Sequence, residues 1–86
     1  MKLSADTHRS ETDFLRTEIL TGLTMAKIAL DSTHKSKRER NRANARKAYD
    51  AVVHFMRSST LEGYEADEIK RGLAQLKSEL MKLGEF

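Results

Sequence analysis

Seven basic side chains, Lys35, Lys37, Arg38, Arg40, Arg42, Arg46 and Lys47, fall within thirteen consecutive residues, and Glu39 is the only acid among them. Lysine and arginine neutralise phosphate, and Asn41 and Asn44 add amide groups to the same stretch. On a helix, Lys35, Arg38, Arg42 and Arg46 share one side, which makes them the candidate polyanion-binding residues. Nucleic acid is the ligand such a set would serve, with affinity falling steeply as salt rises. Two features count against it. Charges surround the helix, with Arg40 and Lys47 flanking the other side, and no aromatic residues interleave them for base stacking. A helix-turn-helix needs a short turn, commonly with glycine, and Asp31-Ser32-Thr33-His34-Lys35 has none. The alternative is a solvated helix face, left largely unpaired because the acids Glu65, Asp67 and Glu68 are expected nearer Arg57 than Arg38.

Other chemistry finds less material. His8, His34 and His54 have no histidine or carboxylate partner at helical spacing that would make a metal pair. Tyr49 and Asp50 are adjacent, so on a helix they point in different directions. There is no glycine-rich phosphate loop, no nucleophile elbow and no carboxylate pair on one face. Absence of cysteine removes disulfides, thiolate metal sites and thiol catalysis together. The sequence therefore predicts a non-enzymatic protein with no cofactor and no metal.

The elements that must position these side chains are helices. The 86 residues contain no proline and four glycines, and Ala, Leu, Lys, Arg, Glu and Met dominate. Leu15, Ile19, Leu23, Ala26 and Leu30 place a first helix at about 11–30, with Ser10 as its cap. A turn at 31–35 leads to a second helix at about 37–57, opened by a Ser36–Glu39 capping box and seamed by Asn41, Ala45, Ala48, Val52 and Phe55. The third helix, about 63–83, begins among Glu62, Glu65, Asp67 and Glu68, where the exposed N–H groups favour acids. Its seam is Ala66, Ile69, Leu73, Leu76, Leu80 and Leu83, and Gly84 supplies a left-handed C-terminal cap. Short connections imply an all-α, up-down-up three-helix bundle with the first and third helices parallel. Residues 1–9 read as an N-terminal arm with room for flexibility, and 10–86 as one helical domain. Gly22 and Gly72 lie mid-helix near the seams, which leaves two readings open: close approach of the first and third helices at those levels, or glycines that are simply tolerated there.

The first helix carries a second apolar stripe, Phe14, Met25 and Ile28 with Thr21 between, roughly opposite its seam. Neighbouring helices and the arm could cover it. The alternative is a protein interface, and a small domain without disulfides gains stability by self-association. Phe14, Met25 and Ile28 are therefore the candidate interface of a homodimer or homo-oligomer, or of an unknown protein partner. The chain shows no signal-peptide core and no apolar run of about 20 residues, so the expectation is a cytoplasmic protein with no membrane contact.

The stretch Arg40-Asn41-Arg42-Ala43-Asn44-Ala45-Arg46-Lys47-Ala48-Tyr49-Asp50, with Val52, Phe55 and Glu68-Ile69-Lys70, resembles small uncharacterised bacterial all-helical proteins, over about the C-terminal half. That resemblance implies an all-α fold and brings no function. A weaker similarity, to tetratricopeptide-type and three-helix trafficking-type modules, implies peptide binding between helices, but the 34-residue repeat with its glycine and proline markers is missing.

Overall fold

A computed structural model describes residues 3–86, with side chains from Arg9 onward; His8 therefore lies outside the described side chains. It consists of α1 (Leu3–Asp31), α2 (Lys35–Arg57) and α3 (Gly63–Lys82). Chain direction alternates, so α1 and α3 run parallel and α2 antiparallel to both. The bundle is long and thin, 52 × 18 × 17 Å. A helix of the length of α1 accounts for about 44 Å of that at 1.5 Å per residue.

Two helix starts differ from the sequence reading, and the third, at Gly63, agrees with it. Residues 3–9 are helical and continuous with α1, and Ser10 lies inside the helix. Nothing between Leu3 and Ser10 is a glycine or proline that would break it. At α2 the helix begins at Lys35, with His34 as an extended N-cap that makes no side-chain cap bond. Ser36 is then already inside the first turn, so the capping box does not form. The turn is instead fixed by Ser32, whose Oγ accepts the His34 N–H at 3.2 Å. The expected end of α3 is present in full. Gly84 has φ +81°, its N–H donates to Met81 O and the Glu85 N–H donates to Leu80 O, both at 3.0 Å. This pair of bonds is the Schellman closure, and it turns Glu85 and Phe86 back toward α2.

The core has two clusters along the bundle. Leu15, Ile19, Val52 and Ile69 fill one end, flanked by Phe55, Met56, Leu61 and Leu73. Ala26, Ala29, Ala45, Leu76, Leu80 and Leu83 fill the other, flanked by Met25, Leu30 and Tyr49. Buried alanines at 26, 29, 45 and 48 let α1 and α2 lie close together. Gly22 belongs to the same contact. A Cβ there would sit 2.7 Å from Leu76 Cδ2 and 3.1 Å from Ala48 Cβ, so α1 meets both neighbours at this level. Gly72 faces Ile19 in the same way, so of the two readings of these glycines the close approach of α1 and α3 is the one present.

The buried stripe of α1 is thus rotated from the one read in sequence. Leu15, Ile19, Gly22, Ala26 and Ala29 are buried, while Leu23 and Leu30 are only half-buried. Rotation toward the small residues brings α2 over part of the second stripe.

Candidate interaction surfaces

That rotation divides the expected interface. Phe14 packs on Phe55 of α2, with ring centroids 5.5 Å apart, yet remains 44% exposed. Met25 is half-buried against the core. Ile28 is 37% exposed and borders an open hollow with Thr24, Lys27, Asp31 and Lys37. Among the described side chains of α1, Leu20 is the most exposed large apolar one, at 66%, and the sequence stripes did not single it out. Leu20 follows the buried Ile19, and the 100° advance carries it out of the core.

Leu20 stands on the rim of a shallow groove between α1 and α3. The groove holds about 340 Å³ and is floored by Ile19, Leu23, Ile69 and Gly72. It continues past Leu23 and Gln75 into a second hollow edged by Lys27, Leu30, Asp31 and Glu79. At its upper end Arg16 bridges the two helices, with Nε 2.6 Å and an Nη nitrogen 2.8 Å from the two carboxylate oxygens of Glu68. Beside it the buried Thr12 donates to Glu65 at 2.7 Å. Two of the acids that open α3, Glu65 and Glu68, therefore serve α1, and none forms an ion pair with Arg57 among the described residues. The hydrogen bonds from Arg16, reinforced by its charge, hold the Glu68 carboxyl below its ordinary range, and Glu68 in turn holds Arg16 above the usual arginine value.

The basic segment of α2 divides as well. Lys35 and Arg38 are exposed and form no ion pair among the described residues. Arg42 and Arg46 are engaged by the end of the chain. Arg42 Nε lies 3.1 Å from Glu85 Oε2, and Arg46 contacts Glu85 Oε1 at 3.5 Å while donating to the Glu85 carbonyl at 2.9 Å. A hydrogen bond to Asp50, 3.0 Å away, is the main reason the Arg46 guanidinium is held above its usual value, with Glu85 adding to it. Phe86 completes the contact. It meets Tyr49 edge-on at 5.1 Å, with Arg46 4.3 Å and Lys77 5.2 Å from its ring centre. Asn41, read as a possible phosphate contact, donates its amide to Lys37 O at 2.9 Å.

Charge spacing alone could not reveal this arrangement, because Glu85 lies 39 residues from Arg46. The legible signal was Gly84, whose left-handed cap predicts a reversal of the chain and so a tail lying back on the bundle.

His34 and His54 are both exposed, and among the described residues no group of three or more His, Cys, Asp or Glu side chains could hold a metal ion. Among the same residues no helix is long and apolar enough to cross a membrane. The chain is thus an all-α three-helix bundle with an open apolar groove between α1 and α3 and a basic helix partly closed by its own tail. Comparison with protein-family models, with curated proteins and with solved structures finds no match.

Proposed function

We propose that this chain is a non-enzymatic helical interaction module that self-associates through the outer face of α1. One observation carries the proposal. Leu20 is 66%, Phe14 44% and Ile28 37% exposed on a helix that has no charged residue between Glu18 and Lys27. Leu20, Thr21 and Thr24 are all exposed there, on a segment whose other residues pack inward or half-inward. Solvated helices ordinarily spend such positions on charge. Covering this face offsets the thin stability margin of a short, disulfide-free chain.

The rival reading, nucleic acid or another polyanion bound through Lys35, Arg38, Arg42 and Arg46, has less support. Two of those four cations already face Glu85, so an anionic ligand would have to displace the tail.

Light scattering behind size exclusion, across a concentration series, tests the proposal. The expected mass is twice the 9.8 kDa of the chain. A mass of one chain at every concentration would overturn it.

A further inference from the structure

We infer that two copies pair antiparallel along α1, with Leu20 on the two-fold axis and each copy's Leu20 entering the other's α1–α3 groove. This rests on the self-association proposed above and centres it on Leu20; Phe14 and Ile28, about 120° and 80° round the helix from Leu20 at 100° per residue, flank the seam and do not lie in it. Arg9, Asp13, Arg16, Leu20, Thr24, Lys27 and Asp31 recur at spacings of four, three, four, four, three and four, and all are exposed. That order reads the same in both directions from Leu20. Such a stripe lies on one side of a helix and superposes on itself when the helix is reversed about Leu20.

The charges distinguish the two directions. In the antiparallel arrangement Arg9 of one copy lies level with Asp31 of the other, and Asp13 lies level with Lys27. Each match occurs twice by symmetry, as an isologous interface requires. In a parallel pair aligned in register, each of these four residues would meet its own copy, and like charges would oppose at all four levels. Arg9, Lys27 and Asp31 form no ion pair among the described residues, while Asp13 has one exposed contact, 3.3 Å to Arg16. The charged side chains of α3 beside the groove are Glu68, held by Arg16, Glu79, paired with Lys82 at 3.1 Å, and Arg71. Asp13, Lys27 and Asp31 therefore have no ion-pair partner on α3 among the described residues, although Arg71 lines the groove and Glu79 lines the same hollow as Lys27 and Asp31.

The groove supplies the socket. Its floor of Ile19, Leu23, Ile69 and Gly72 lies beside Leu20 in a volume of about 340 Å³. Gly72 leaves the α3 wall low at that level. A leucine entering from a second α1 would be a knob in a hole of apolar residues, as in other packed helix pairs.

Cysteine placement tests the register, because the chain has no cysteine of its own. Leu20→Cys should oxidise to a covalent dimer. Asp13→Cys and Lys27→Cys should each stay uncrosslinked alone and form a mixed disulfide when combined. Lys27→Asp should raise the dimer dissociation constant about tenfold, since two exposed ion pairs are lost per dimer. The double variant Asp13→Lys/Lys27→Asp should restore it. All these positions are exposed, and circular dichroism of each variant should show unchanged helix content.

A native dimer mass with no crosslink at residue 20 and no response to Lys27→Asp would overturn the register while leaving self-association intact. Crosslinking of Asp13→Cys to itself would overturn the antiparallel direction. A monomer at all concentrations would remove the reading beneath both.

Discussion

Replacing Gly22 with alanine sets two effects of known size against each other. Alanine is better than glycine inside a helix by about 1 kcal/mol, because it has less backbone freedom to lose. The new Cβ would lie 2.7 and 3.3 Å from the two δ-methyl carbons of Leu76, and 3.1 Å from Ala48 Cβ. Leu76 is fully buried, so its side chain has little room to swing away, and Ala48 has no side-chain torsion to relieve the contact. The helices must therefore part by several tenths of an ångström in the middle of a packed core. Overpacking of that kind costs about 1–3 kcal/mol. We expect a net loss of about 1 kcal/mol, which for a domain of this size lowers Tm by about 4–8 °C. The assay is thermal and urea unfolding followed by circular dichroism at one fixed protein concentration, since self-association would make Tm depend on concentration. In a Leu76→Val background, which lacks δ carbons, Gly22→Ala should lose most of its penalty and approach its helix-propensity gain. A rise in Tm when Gly22→Ala is made in the native chain would refute the close approach of α1 to both neighbours.

The tail contact makes Phe86→Ala destabilising by about 1 kcal/mol, from the lost pairing with Tyr49 and the covered half of the ring. Amide exchange should accelerate around Arg42 to Tyr49 of α2 and at the end of α3 while α1 stays protected; uniform acceleration would show that the tail is not a local latch. Gly84→Ala should act on the same contact, because φ +81° is unfavourable for any residue with a Cβ, by about 1 kcal/mol. For the Arg16–Glu68 bridge, the folded-state pKa of Glu68 lies below its unfolded value. Its contribution is therefore present above the ordinary glutamate range, near about pH 4.3, and fades as pH falls through that range toward the depressed value. Glu68→Gln should lower Tm at neutral pH and converge with the native chain in acid, and a difference that stays constant with pH would count against the bridge.

Much of the fold was legible because helix signals are local. The three-four alternation from Ala66 to Leu83 fixed both the existence of α3 and its buried face, and Gly84 fixed its end through a backbone angle that only glycine adopts cheaply. The breaks at 32–34 and 58–62 followed from the same kind of short-range reading. Ser10 and Ser36 show its limit: each fits a capping position by type, but the helices begin earlier, and a cap residue only works where the helix actually starts.

The candidate surfaces depended on rotation and on distant partners. Periodicity places two apolar stripes on α1, but the choice of which one faces inward belongs to the neighbours. Gly22, Ala26 and Ala29 let α2 come close, which drew Met25 and part of Phe14 inward and left Leu20 outside. The fates of Arg16, Arg42 and Arg46 were likewise decided by acids 52, 43 and 39 residues away. Sequence by itself determined three amphipathic helices, their turns and a capped C-terminus, because those rest on hydrogen bonds and side-chain spacing within a few residues. The tertiary structure alone decided how each helix is turned about its axis and which charges are neutralised, because these are set by packing energy shared among all three helices.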